Sequence, residues 1–314
     1  MNIYVSSCAE DGGIYRYNLN KNGKLEFLDI TPLDRPMYTI KSDKKMHILL
    51  RAPFENSNDS GIVTAEIAED GVLTKPTSPI STKGEVACHL TEYNGEIFCA
   101  NYISGSVFRT PDLLKVHEGY GPNLPRQDKA HTHFTGVTPD KKYIAVCDLG
   151  LDTVFFYDKN LNVVNSVKVP DGHGARHLVF SDDGKYMFVV NELKSTVSVF
   201  SYNDAKCTLL DTKSCLPADF TGESFASAIR LKNDKIYVSN RGHNSIAELN
   251  FDGRKLELIS AYSCHGNFPR DFDFFGEYIV CTNQFSNDIT VLDKDFNLTD
   301  KVSDIKEAIC VTGE

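Results

Sequence analysis

The chain has 314 residues and a formal net charge of −10, with 41% hydrophobic and 11% aromatic residues. That acidic balance excludes bulk electrostatic attraction to DNA, RNA or an anionic membrane surface. No apolar run approaches the roughly 20 residues that a helix needs to span a bilayer, and the lack of tryptophan argues against the WD40 type of repeat, whose signature includes one.

The chain reads as short strands from the start, with no helical apolar period of useful length. The opening residues, Met1 to Cys8, lack the basic region and long apolar core of a signal peptide. A cytoplasmic location is expected from this. Runs at 3–7 and 13–17 form a first strand pair, and runs at 47–51 and 61–65 a second. A phrase then recurs five times: a β-rich run ending in a polar residue, a short gap, and a second run opening on Ser, Asp or Asn. It joins Cys99-Ala-Asn101 to Ser106-Val-Phe108, and Val146-Cys-Asp148 to Asp152-Thr-Val-Phe155. It joins Val190-Asn191-Glu192 to Ser195-Thr-Val, Val238-Ser-Asn240 to Asn244-Ser-Ile246, and Cys281-Thr-Asn283 to Asn287-Asp-Ile. The strand-end markers Ser7, Arg51, Asn101, Asp148, Asn191, Asn240 and Asn283 lie about 43–50 residues apart, which is propeller spacing.

The fifth copy shows the internal grammar. Residues 176–180 form a strand, Ser181-Asp-Asp-Gly184 a hairpin turn whose Asp-Gly tolerates positive φ, and 186–190 a second strand. Residues 196–200 alternate and are rich in β-branched and aromatic side chains, and 207–212 form the fourth strand. The expected fold is all-β: one seven-bladed β-propeller domain over 1–314, with four antiparallel strands per blade. The spare strand 308–312 is expected to join the N-terminal blade, closing the ring and removing the open sheet edge.

Nine cysteines with no Cys-x-x-Cys pair read as buried thiols in a reducing compartment. No His-Glu-x-x-His, phosphate loop or Gly-x-Ser-x-Gly elbow is present, so neither a cofactor nor a metal is expected. The first strand of a blade runs antiparallel to the second, so its start and the second strand's end share one face. Starts carry His89, His131, His133, Arg176, His177, Arg270 and Asp271; ends carry Arg51, Asn101, Asp148, Asn191, Glu192, Asn240, Arg241, His243, Asn283 and Gln284. An acidic chain that gathers Arg and His at one mouth suits a small anionic metabolite. Recurrent asparagines such as Asn101 suit turn formation. Arg176, Glu192 and Arg241 are not repeated in other blades, which frees them for function. His47, His117, His173 and His265 read as loop or surface residues.

Five phrases resemble the seven-bladed propeller lactonase family, which includes cycloisomerase-type 6-phosphogluconolactonases and carboxy-muconate lactonising enzymes. They are His131-Thr-His133, Ala175-Arg176-His177-Leu, Val190-Asn191-Glu192, Asn240-Arg241-Gly-His243 and Pro269-Arg270-Asp-Phe, in an order that covers roughly 85–295. The resemblance implies a centre of His, Glu and Arg at the channel mouth, here His133 (or His131), Arg176, Glu192 and Arg241. His131, His177, Arg270, His89, Asn101, His243 and Arg51 are the expected substrate-binding residues. The implied activity is hydrolysis of a small anionic sugar lactone like 6-phosphogluconolactone, with Glu192 or His133 as the base. Lactonisation of a muconate-type dicarboxylate, or ligand binding without turnover, are the alternatives. The sequence leaves the oligomeric state open.

Overall fold

The computed structural model describes residues 1–313. Strand-forming runs separated by tight turns build seven four-stranded antiparallel sheets, and the fold is a seven-bladed β-propeller. By internal packing the chain divides into two compact units, Met1–His89 with Ser263–Glu314, and Leu90–Tyr262.

In the first unit, Asn2–Ser7, Gly13–Leu19 and Leu25–Pro32 form a meander, and Ala308–Gly313 pairs with Asn2–Ser7. The last strand therefore completes the first blade, as the sequence predicts. Pro36–Ser42, Lys45–Leu50, Asp59–Glu66 and Ile80–Glu85 make a second sheet, and Pro269–Phe275, Tyr278–Asn283, Asp288–Leu292 and Leu298–Val302 a third. In the second unit, one sheet consists of Thr132–Val137, Ile144–Asp148, Thr153–Tyr157 and Val163–Lys168. The next contains Ala175–Phe180, Tyr186–Asn191, Thr196–Asn203 and Lys206–Ser214. Phe225–Lys232, Lys235–Arg241 and Ser245–Phe251 lead a further sheet, and Glu96–Asn101, Ser106–Arg109 and Leu113–Val116 belong to the sheet that opens the unit.

Burial explains the composition of each strand. Second strands such as Tyr186–Asn191 are buried along nearly their whole length, because a neighbouring sheet covers each face. They read as unbroken apolar runs, here Met187-Phe-Val-Val190. Fourth strands such as Val163–Lys168 are mostly exposed. The core lies between adjacent sheets: Ala145, Val154 and Phe156 of one pack with Leu178, Met187, Val189 and Phe200 of the next.

One hydrogen bond accounts for the recurring phrase. The side-chain amides of Asn101, Asn191, Asn240 and Asn283 donate to Ser106, Thr196, Ser245 and Asp288 at 3.1, 3.0, 3.3 and 2.9 Å. Each acceptor follows a residue with positive φ, namely Gly105, Ser195, Asn244 and Asn287. Gly and Asn tolerate that conformation best. The repeat is thus a turn closed by a buried amide, which satisfies polar groups that water cannot reach.

A second regularity sits at the start of the first strands. Thr132 pairs with Asp148 and Phe134 with Cys147, so His133 is an extra residue in a β-bulge. Arg176 occupies the same place between Ala175 and His177, Arg270 between Pro269 and Asp271, and Met37 between Pro36 and Tyr38. A bulge leaves its extra residue outside the ladder and re-aims the side chain. Three of the predicted site residues owe their direction to this device.

Candidate active site

Glu192 is the organising group of the second unit. It follows the strand Tyr186–Asn191, and its backbone N–H donates to Gly174 O at 2.8 Å, which ties it to the segment leading into Arg176. Its carboxylate pairs with three guanidiniums. Oε2 accepts from Arg176 Nε at 3.0 Å and lies 2.9 Å from Arg241 Nη2 in an ion pair; Oε1 accepts from Arg126 Nη2 at 2.5 Å. Burial by itself would push the Glu192 pKa up, but Arg241, Arg176, His133 and Arg126 hold it well below the usual carboxylate range.

The guanidiniums are themselves oriented. Arg241 ends the strand Lys235–Arg241 and donates Nε to Phe225 O at 3.2 Å and Nη2 to Ala226 O at 3.3 Å. The chain turns sharply behind it at Gly242, with φ of 104°, where a Cβ would come within 2.3 Å of Glu223 O. Arg176 Nη1 lies 3.3 Å from His177 Nε2, and donation from the guanidinium makes that nitrogen an acceptor.

Three imidazoles adjoin the cluster. The His133 ring meets His177 edge-on at 5.1 Å and Tyr102 edge-on at 5.5 Å. His131 stacks on Tyr102 at 4.5 Å; its Nδ1 lies 3.0 Å from Tyr102 O and its Nε2 3.1 Å from Asp128 Oδ1. All three histidines are buried. Asp148 fixes the approach to them. It cannot donate as the asparagines at its repeat position do, and instead accepts from His131 N–H at 2.8 Å and Leu151 N–H at 3.2 Å.

The structure brings together His131, His133, Arg176, His177, Glu192 and Arg241, the predicted residues of one unit. Two others of that unit stand apart. Asn101 is one of the buried turn amides. His243 bonds Ser245 Oγ at 2.7 Å through Nδ1 and packs against Phe220. Arg51, His89 and Arg270 belong to the other unit, where Arg51 is exposed, the His89 ring lies tilted 4.4 Å from that of Tyr38, and Arg270 Nη1 reaches Gln284 Oε1 at 3.4 Å.

Two expectations about histidines are corrected. His47 is buried in the strand Lys45–Leu50 with Nδ1 2.8 Å from Thr64 Oγ1. His117 is buried too. Its Nδ1 lies 2.6 Å from Asp148 Oδ2, and its Nε2 2.6 Å from the Tyr157 hydroxyl oxygen. Both were expected on loops or the surface: His117 does lie on a loop, at the start of the connection 117–131, but is buried there, whereas His47 belongs to the run 47–51 that reads as a strand, which already implied its burial. Arg126 and Tyr102 escaped sequence reasoning. Arg126 lies in the connection 117–131, the longest between consecutive strands, where no repeat marks it. Tyr102 directly follows the marker Asn101, so its position beside a strand end was the available signal. All nine cysteines are reduced thiols, eight buried and Cys207 half-buried. Among the described residues no group of His, Cys, Asp and Glu has the arrangement of a metal site, and no helix is long and apolar enough to cross a membrane.

Comparison with known proteins agrees with this architecture. An uncharacterised protein of Staphylococcus epidermidis is 31% identical over 98% of both chains. A crystal structure of a Lactobacillus plantarum protein superposes with a TM-score of 0.87 at 27% identity, over 99% of each chain. A candidate 6-phosphogluconolactonase of Bacteroides fragilis superposes with a TM-score of 0.86 at 25% identity, over 99% of this chain and 97% of that one. The profile of the family described as "Lactonase, 7-bladed beta-propeller" matches residues 2–312, and the chain belongs to that family.

Proposed function

We propose that this protein hydrolyses a small anionic sugar lactone, of the 6-phosphogluconolactone type, at the cluster around Glu192. The observation that carries the reading is one buried carboxylate shared by three guanidiniums beside the imidazole of His133. The likeness to a candidate 6-phosphogluconolactonase supports the substrate class.

The roles follow from the electrostatics. Glu192 is a poor base, because its lone pairs are engaged and its proton affinity is depressed. Its work is to hold Arg176 and Arg241 in place. His133 is the base: it takes a proton from water as the oxygen adds to the lactone carbonyl. The resulting oxyanion is stabilised by Arg176 and Arg241, whose dipoles and charges are already oriented. The ring C–O bond then breaks, and the His133 imidazolium returns the proton to the departing alkoxide. The product is a ring-opened hydroxy acid.

The test is a panel of phosphorylated and unphosphorylated sugar lactones, assayed at neutral pH with the uncatalysed opening subtracted. Arg176→Ala is expected to lower turnover by about 10²–10³, the usual loss for one oxyanion donor. Wild-type rates in both Arg176→Ala and Glu192→Gln would rule the assignment out. Saturable lactone binding without acceleration would make the propeller a binding module instead.

A further inference from the structure

The three guanidiniums on Glu192 are not equivalent. The side chains of Arg176 and Arg241 are 3% and 7% exposed, whereas that of Arg126 is 40% exposed. Arg176 and Arg241 belong to strands and have further partners in His177 Nε2 and in the carbonyls of Phe225 and Ala226. Arg126 comes from the connection 117–131, and apart from Glu192 it has the Tyr102 hydroxyl at 3.4 Å and the Phe225 ring at 5.8 Å. It also has Glu192 Oε1 to itself.

The backbone beneath Arg126 is clamped. Buried Gln127 donates Nε2 to Leu149 O and to Asp152 Oδ1, both at 2.8 Å, and accepts Asn123 N–H at 3.0 Å. The Arg126 head is therefore the movable part of an otherwise fixed segment. Its departure would leave Glu192 still paired to two guanidiniums, so the carboxylate would not be stranded. The cluster also carries three cationic groups against one carboxylate, an excess that an incoming anion would offset.

We propose that Arg126 is the anion-receiving residue of this site: it exchanges its contact with Glu192 for the phosphate or carboxylate of the ligand, while Arg176 and Arg241 stay in place. This rests on the anionic-lactone reading above. A planar fork suits either anion bidentately and stacks on an aromatic face such as Phe225. Until the ligand binds, Glu192 is the anion that Arg126 holds.

The experiment titrates inorganic phosphate into the wild type, Arg126→Gln and Arg126→Lys by calorimetry, after thermal melts establish that each is folded. In parallel it measures KM and kcat for one sugar lactone with and without its phosphate. The wild type is expected to bind phosphate. Arg126→Gln should weaken that binding about tenfold or more, the worth of one charged hydrogen bond, and Arg126→Lys should restore part of it. The KM for the phosphorylated lactone should rise alongside, with KM for the unphosphorylated lactone within about twofold and kcat little changed. Equal phosphate affinity in wild type and Arg126→Gln, or equal losses on both lactones, would overturn the role of Arg126 and leave the lactonase reading standing. Phosphate binding that depends on Arg126 with no turnover of either lactone would overturn that reading and keep the anion site. A wild type that binds no phosphate would overturn the proposal.

Discussion

Glu192→Gln keeps the shape of the side chain and removes the charge on which Arg126, Arg176 and Arg241 converge. Removing one partner from a buried ion pair usually costs about 3–5 kcal/mol, because the remaining charge stays uncompensated. The variant is expected to unfold at clearly lower urea concentration. The acid limb adds a second signature. The folded Glu192 pKa lies well below its unfolded value near about 4.3. Its stabilisation is complete above that unfolded value and is lost as pH falls towards the folded one. The stability gap between wild type and Glu192→Gln should therefore stay constant from neutral pH down to about pH 5 and shrink below about pH 4. A gap that is already closing near pH 6 would contradict the depressed pKa. His117 gives an independent residue-scale test. Burial, then the Asp148 charge, push the Tyr157 pKa up, so its hydroxyl keeps its proton beside His117. His117→Ala orphans that hydroxyl and Asp148 Oδ2, and a loss of about 1–3 kcal/mol per group is expected in chemical denaturation.

The elements position these groups through bulges and turns, and one glycine shows how tightly. A Cβ at Gly150 would lie 1.9 Å from Lys129 O and 2.9 Å from His131 N, both backbone atoms that cannot rotate away. Gly150→Ala should push the end of the 117–131 connection off the turn after Ile144–Asp148, displacing His131 and loosening Arg126. We expect about 1–3 kcal/mol of destabilisation and weaker anion binding; unchanged values for both would show that the connection is not held there. The same elements show what could be read without coordinates. The turn at Ser181–Gly184, the strand pairs and the closing strand were legible because strand periodicity and turn chemistry are local. Arg176, Glu192 and Arg241 were legible because they break a repeat whose other members, such as Asn101, close turns. Arg126 was not, because its place depends on Gln127 reaching Leu149 and Asp152, a contact between segments with no shared pattern. His117 was hidden for a similar reason: its partners Asp148 and Tyr157 lie 31 and 40 residues away. The bulges at His133 and Arg176 were also invisible, since an extra residue in a ladder leaves no mark in alternation.

At the scale of the whole molecule, Ala308–Gly313 completes the first blade by pairing with Asn2–Ser7. It also brings Ala308 and Val311 into a core with Ile3, Val5, Val280 and Ile289. Removing 308–314 would expose the N-terminal strand as an open edge, a template for pairing with other chains. The truncated protein is expected to aggregate and to melt at lower temperature, and a soluble monomer of unchanged Tm would refute that role for the closing strand. In the function proposed above, the fold holds a histidine base beside guanidiniums that a buried carboxylate has already oriented. The most direct test is the pH–rate profile for opening of a phosphorylated sugar lactone by wild type and His133→Asn, with the spontaneous rate subtracted. The expected result is catalysis in the wild type that rises with pH as the imidazole base loses its proton, and that falls by about 10²-fold or more in His133→Asn. Opening no faster than in buffer, or a profile that His133→Asn leaves intact, would contradict it.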